Sequence, residues 1–230
     1  MKPVVLIPVY RHAQALLRTI ERLEPYGIPI LVVDDGNSPP LAVANHFSVR
    51  LPCNRGKGAA IAMGLQKASD LGFSHALQID ADGQHSLEDA WGLLRLAEAN
   101  PDHLVTSFPI YDATAPAHRV KARALTRFFI RLECGLARED GMCGCRVYPV
   151  GQSLGVCKRV RAMRMGFDVE FIVRWKWAGY EVDSAPVKVT YPTDGGSNFR
   201  LFRDNLGFSL MHTRLCLRRI SGLYRMEQVR

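Results

Sequence analysis

Hydrophobic positions along the chain follow two alternating rhythms. "VVLIPV" (4–9) is a short β-branched run of the kind that fills a strand buried on both faces. Leu16, Leu17, Ile20 and Leu23 then fall at helical spacing, and Pro25 and Gly27 end that pattern. "IPILVVDDG" (28–36) predicts a second strand and "FSVRLP" (47–52) a third. "KGAAIAMGLQKASDLG" (57–72) reads as a helix of small residues closed by Gly72, and "HALQID" (75–80) as a fourth strand. Ser86, with Asp89 three residues later, has the form of a helix N-terminus, and "HLVTSF" (103–108) supplies another strand. Repeated β–α units of this length predict an α/β fold, a mainly parallel sheet flanked by helices on both faces.

Beyond residue 115 the rhythm changes. Residues 119–136 read as one helix with Leu125, Phe128, Phe129, Leu132 and Leu136 on a stripe. Arg119, Arg123, Arg127 and Arg131 centre on the opposite face, which is read as the solvated one. "GFDVEFIVRWKWAGYEV" (166–182) predicts a helix ending at Gly179, then a strand running to about Val189. From Phe199 onward, Phe, Leu, Met and Ile interleave with arginines, as in one or two basic amphipathic helices. There is no repeat, low-complexity tract or linker, so a single domain is expected.

Composition narrows the class of partner. The 230 residues are 47% hydrophobic, enough for one sizeable core, and 23% charged, which excludes a disordered chain. Thirty Lys and Arg against 22 Asp and Glu leave a net charge of +8, which favours an anionic partner. The basic residues cluster late, with no aromatic-rich nucleic-acid motif among them, so no nucleic acid is expected. No apolar run approaches the roughly 18 residues of a membrane span. The opening "MKPVVLIPVYRHAQ" is read as a strand and not a leader, because Pro3, Pro8, Arg11 and His12 break its apolar run. Six cysteines form no C-x-x-C pair, and Cys143 and Cys145 are too close for a zinc half-site. Reduced thiols and a cytoplasmic location are therefore expected.

Candidate chemistry lies where strands end. In open parallel sheets ligands collect beyond the carboxyl ends of the strands, and two acidic clusters sit there: Asp34-Asp35-Gly36 and Asp80-Ala81-Asp82-Gly83-Gln84. A single Asp-Asp-Gly is as well explained by a turn with capping carboxylates. In the second cluster, residues two apart in an extended segment point the same way, so Asp80 and Asp82 can face one cation. Gln84 adds a third oxygen. Mg²⁺ and Mn²⁺ take such oxygen ligands and leave room for water and phosphate. The chain has no G-x-x-x-x-G-K-[ST] and no G-x-G-x-x-G, which argues against a P-loop enzyme or an ordinary dinucleotide enzyme.

"IPVY" (7–10), "VVDDG" (32–36), "NRGKGAAI" (54–61) and "QIDADGQH" (78–85), in this order, resemble the nucleotide-sugar-binding half of family 2 glycosyltransferases. Within that family they are most similar to the polyprenyl-phosphate sugar transferases. The resemblance implies the GT-A fold over residues 1–198, with a donor half (1–115), an acceptor half (116–198) and a basic helical tail (199–230). It implies that Pro8 and Tyr10 line the base and ribose pocket and that Asp35 accepts a hydrogen bond from uracil or guanine. Asp80, Asp82 and Gln84 would hold Mg²⁺ or Mn²⁺ on the diphosphate, and Lys57 would lie near the same phosphates or be a solvated helix-start lysine. Asp168 would be the base that deprotonates the acceptor hydroxyl in an inverting displacement, or else a helix cap. Arg146 would contact phosphate or acceptor, or else pair with a carboxylate. Ser197 and Arg200 would belong to a loop closing over the donor.

One departure redirects the acceptor. The segment Thr106-Ser107-Phe108-Pro109 lacks the arginine with which polyprenyl-phosphate transferases bind the acceptor phosphate. The expected activity is therefore metal-dependent transfer from a nucleotide sugar, UDP-linked, to a lipid or glycolipid hydroxyl at a membrane surface, with polyprenyl phosphate as the alternative acceptor. The basic tail would attach the protein peripherally to anionic lipid on the inner face of the cytoplasmic membrane. A nucleotidyltransferase shares the carboxylate–metal logic but wants a glycine-rich phosphate loop, which "IPVYRHAQ" does not supply. Nothing in the sequence sets the oligomeric state.

Overall fold

The opening apolar run splits by parity across a sheet. In strand β1 (Pro3–Val9), Val4 and Leu6 pack into the core on one face, while Val5, Ile7 and Val9 pack into a second core on the other. A strand buried on both sides has no polar half, which is why the run is continuous. The computed structural model describes residues 1–111, 117–136, 139–189 and 201–227. Its seven strands are β1, β2 (Ile30–Asp34), β3 (Phe47–Arg50), β4 (His75–Gln78), β5 (Leu104–Tyr111), β6 (Arg146–Pro149) and β7 (Val182–Val189), in the order β3-β2-β1-β4-β6-β5-β7. Every strand shares one direction except β6, which runs antiparallel to both neighbours.

Helices α1 (Ala13–Leu23) and α3 (Leu87–Ala99) cover one face. Helices α2 (Lys57–Asp70), α5 (Val150–Cys157) and α6 (Phe167–Trp177) cover the other. Helices α4 (Ala117–Cys134) and α7 (Leu201–Ile220) pack on that second layer, α4 through Ile130 and α7 through Met211 and Leu215, all within 2% exposure of full burial. The expected Ser86 cap is present, its hydroxyl accepting from Asp89 N at 3.3 Å at the start of α3.

Two features differ from the sequence reading. The pair β6–α5 was not predicted: four and eight residues are too short to display a period, and Gly151 and Gly155 dilute the helical signal. The apolar stripe of α4 also divides. Thr126, Ile130 and Glu133 face the core, whereas Leu125, Phe128 and Leu132 remain more than half exposed. Glu133 can face inward because its carboxylate is met by His212 of α7 at 2.8 Å, a pairing invisible to hydropathy.

Small residues bring α2 close to α6. A Cβ at Gly58 would lie 2.4 Å from the Cβ of Phe167. In a helix Gly→Ala ordinarily gains up to ~1 kcal/mol. Gly58→Ala is instead expected to destabilise by ~1–3 kcal/mol through overpacking, read as a lower midpoint in urea with unchanged slope.

Candidate functional site

The chain runs from β1 to β2 and β3 on one side, then returns to β4 on the other, so β1 and β4 flank a topological switch point. Crevices for ligands form at the carboxyl edge there. Pro8 and Tyr10 end β1, Asp34 and Asp35 end β2, and Asp80 follows β4, all on this edge. Because β6 is reversed, its entering end meets the exit of β4, with Gln78 opposite Arg146. The loop before β6 is thereby delivered to the same edge.

The two aspartates after β2 have separate jobs. Asp34 is buried and accepts from Asn37 N at 2.8 Å, Asn37 Nδ2 at 2.6 Å and Leu41 N at 3.2 Å, which fixes the loop after the strand. Burial disfavours its charge, but the Asn37 and Leu41 donors outweigh that and hold its carboxyl below the usual range. Asp35 accepts from Arg55 N, Asn54 Nδ2 and Gly56 N at 2.8–2.9 Å, and so organises the turn entering α2. A carboxylate has about four lone-pair positions, so one stays open for an incoming donor group. Burial prevails over those bonds and pushes the Asp35 carboxyl up. Tyr10 is half-buried beside them, with the Arg11 guanidinium 5.0 Å from its ring centre.

Lys57, the first residue of α2, is the centre of the site. Its Nζ lies 2.8 Å from Asp80 Oδ1 and 3.3 Å from Asp168 Oδ2. Burial works against the lysine's charge, but Asp168 and then Asp80 outweigh it and hold the ammonium protonated above its ordinary range. Burial likewise opposes the charge on Asp80, and Lys57 overrides it, lowering the carboxyl. Gly144 covers this pair: a Cβ there would stand 2.2 Å from Asp80 Oδ2 and 2.6 Å from Lys57 Nζ. A side chain at this position would displace the Asp80–Lys57 pair.

Asp168 does not cap α6. Its carboxylate turns to Lys57 and to the Tyr148 hydroxyl, 3.5 Å away. Tyr148 donates to Gln78 Oε1 at 2.9 Å, and Gln78 Nε2 donates to Asp80 Oδ1 at 3.4 Å. Tyr148, Gln78, Asp80, Lys57 and Asp168 therefore form one hydrogen-bonded and ionic chain whose ends, the Tyr148 hydroxyl and Asp168 Oδ1, lie 3.5 Å apart, with Tyr148 and Gln78 fully buried. Neither Gln78 nor Tyr148 was singled out from sequence. Gln78 left a signal, as the polar interruption of an apolar strand; Tyr148 left one as the tyrosine of Gly144-Cys145-Arg146-Val147-Tyr148, a stretch similar to the family's G-F-R-x-Y, although its strand is too short to predict.

Arg146 is placed elsewhere than expected. It is fully buried and meets neither a carboxylate nor the open edge. Its guanidinium donates to the carbonyls of Cys143 at 2.9 Å, Gly141 at 2.7 Å and Asp168 at 2.8 Å. It ties the loop over Lys57 to the first turn of α6 and so positions Asp168 through its backbone. Beside that loop, the Cys143 thiol lies 3.8 Å from His85 Nε2 and accepts from Ser107 at 2.9 Å. Ser197 and Arg200 lie outside the described residues.

Asp82 and Gln84 stand at the mouth. Helix α1 holds their turn through Thr19 Oγ1 to Ala81 O at 3.3 Å and Arg22 Nη1 to Gly83 O at 3.4 Å. Two things push the Asp82 carboxyl up, the enclosing protein and the negative charge of Asp80. The side chain is open to solvent, which leaves the Asp80 charge as the cause that matters. Among the described residues no three His, Cys, Asp or Glu side chains converge into a closed metal cage. The turn carries two carboxylates, Asp80 bonded to Lys57 and Asp82 exposed, and the amide of Gln84, oxygen groups of the kind a hard cation takes alongside water and phosphate.

An α/β sheet of this topology, with paired carboxylates beyond β4 and a third carboxylate facing them, defines a class. Residues 4–150 match the family described as Glycosyl transferase family 2, and the chain belongs to that family. Polyprenol monophosphomannose synthase of Mycolicibacterium smegmatis is 27% identical over 198 residues, 73% of this chain and 74% of that one. Among solved structures, glucosyl-3-phosphoglycerate synthase of Mycobacterium tuberculosis superposes with a TM-score of 0.67 at 18% identity, over 94% of this chain and 80% of that one. Mannosyl-3-phosphoglycerate synthase of Rubrobacter xylanophilus does so at 0.62 and 18%, over 100% and 77%. These likenesses establish the fold as that of GT-A glycosyltransferases.

Proposed function

We propose that the chain transfers a sugar from a nucleoside-diphosphate donor, UDP-linked, to a lipid-linked acceptor, using Mg²⁺ or Mn²⁺. The observation that carries this reading is the lysine shared by Asp80 on the donor side and Asp168 on the acceptor side. Such an arrangement sets a phosphate-binding cation and a base against one reacting centre. Support comes from the M. tuberculosis synthase, which shares the fold and has been solved with Mn²⁺ and UDP-glucose, and from the polyprenol lipid in the name of the M. smegmatis relative.

In this reading Pro8, Tyr10 and Asp35 receive the nucleoside. Asp80, Asp82 and Gln84 would hold the cation, whose positive charge would offset the negative charge of the departing diphosphate. Lys57 contributes a fixed positive charge at the same place. Asp168 takes the proton of an acceptor hydroxyl while its oxygen bonds to the anomeric carbon, the carbon–diphosphate bond breaks with its electron pair on the diphosphate, and the configuration inverts. Arg146 and Lys57 hold Asp168 from its carbonyl and its carboxylate. A phosphate acceptor arrives ionised and needs no base, so the enclosure of Asp168 favours a hydroxyl.

The test is thermal stabilisation by UDP-, GDP-, dTDP- and CMP-sugars with and without Mn²⁺. One nucleotide class is expected to stabilise the protein by about 2.7 kcal/mol at a hundredfold excess over Kd, only with the cation, and not in Asp82→Ala. A folded protein indifferent to all four donors would overturn the reading.

A further inference from the structure

Among the described residues the outward face of α4 and α7 has no partner. The two helices lie side by side, with Phe129 stacked on His212 at 4.7 Å between ring centres and His212 bonded to Glu133. Facing away from that contact, α4 presents Leu125, Phe128 and Leu132 at 60%, 60% and 55% exposure. Helix α7 presents Leu206, Leu210, Leu217 and Ile220 at 52%, 62%, 61% and 84%. Each set falls on one helical stripe. Single exposed leucines are ordinary, but seven large apolar side chains on adjoining helices make a surface.

The charge on this face has one sign. Lys121 and Arg203 are exposed beside the two apolar stripes, while Arg127, Arg131 and Arg219 are exposed on other sides of their helices, Arg219 over the Tyr224 ring. Helices α4 and α7 carry only two acidic residues: Glu133, which is buried against His212, and Asp204, which is half-buried and engaged. Expecting the tail alone to carry the membrane contact, with Arg214 and Arg218 in it, needs revision. Both arginines turn inward, Arg214 to Glu170 at 2.7 Å and Arg218 to Glu227 at 3.0 Å, and α4 supplies the rest of the face.

We infer that α4 and α7 together seat on an anionic bilayer surface, their leucines and Phe128 entering the headgroup–acyl boundary and the flanking Lys and Arg meeting lipid phosphates. A second copy of the chain is the weaker occupant: a two-fold interface sets this face against itself, with Lys121 and Arg203 on both sides and Glu133 and Asp204, the acids of the two helices, already engaged. The inference deepens the reading of a lipid-linked acceptor and rests on it for its purpose, since α6, packed beneath α4, carries Asp168.

The experiment is flotation of the full chain with vesicles of phosphatidylcholine alone or mixed with phosphatidylglycerol, at low and physiological salt. The pairs Phe128→Ser/Leu132→Ser and Leu210→Ser/Leu217→Ser change exposed residues only, and circular dichroism melts verify their folding. Wild type is expected to float with the anionic vesicles, and each pair to bind about tenfold more weakly or worse. Leu17→Ser, on α1 at the far layer, is expected to bind as wild type does. The inference fails if wild type does not float, if the pairs float equally well, or if light scattering shows a wild-type dimer that the pairs dissociate. Donor-induced stabilisation measured on the same samples separates the two ideas. A wild type that does not float but keeps its donor response overturns the face alone, whereas a wild type that floats with no donor response supports the face and counts against the transferase chemistry.

Discussion

Replacing Asp168 by asparagine is expected to slow transfer to a hydroxyl acceptor by roughly 10²- to 10⁴-fold, the range a positioned general base supplies. The substitution keeps the shape of the side chain and its reach toward Lys57 and Tyr148, so the fold and donor site stay in place. Lys57 retains Asp80, 2.8 Å away, as its partner. The loss should therefore fall on kcat, with the KM for the donor changed only a few-fold. Initial rates at varied donor and acceptor separate the two constants. The acceptor enters the prediction too. Turnover on a lipid phosphate, which is ionised before it binds, should fall far less than turnover on a lipid hydroxyl. Equal, small losses on both would remove Asp168 from the base role and leave it a partner of Lys57.

The parallel half of this site was legible because its information is local. Each of Tyr10, Asp35, Lys57, Asp80 and Asp82 stands at the end of a strand or the start of a helix, within a few residues of the apolar run that places it. Asp34 and Asp35 were not separable by eye, since the difference is which loop each carboxylate ties down. What completes the site is non-local. Arg146, Tyr148 and Gly144 reach it only because β6 runs backwards beside β4, and a four-residue strand announces neither its existence nor its direction. Arg146, expected to meet phosphate, acceptor or a carboxylate, shows that backbone carbonyls alone can satisfy a completely buried arginine. Helix α4 shows the reverse error, since an apolar residue on a helix need not face inward when a neighbouring helix has already taken that side.

Glu170→Ala is expected to destabilise the fold by ~3–5 kcal/mol, the cost of leaving a buried charge without its partner. Glu170 is fully buried two residues after Asp168, on the other side of α6. One oxygen accepts from Arg174 at 2.7 Å; the other accepts from Ala162 N at 2.8 Å, Arg161 N at 3.1 Å and Arg214 at 2.7 Å. Arg174 reaches on to Glu227, which also receives Arg218. The network thus joins α6, the segment before it, α7 and the chain beyond α7. At about 2–4 °C per kcal/mol for a chain of this size, the melting temperature should drop by ~6–20 °C. Glu170→Gln keeps the shape and loses the charge, and should fall between the parent and the alanine variant. Arg214 is a third exposed and shares its charge with solvent, so Arg214→Ala should cost far less than Glu170→Ala. The double variant should show a coupling of 0.5–3 kcal/mol, as expected for groups in one network. Because the same helix presents Asp168 on its opposite face, heating the alanine variant should abolish activity and release α7 to protease in one transition. Release of α7 at a lower temperature than activity loss would show that the network anchors the tail without supporting the site.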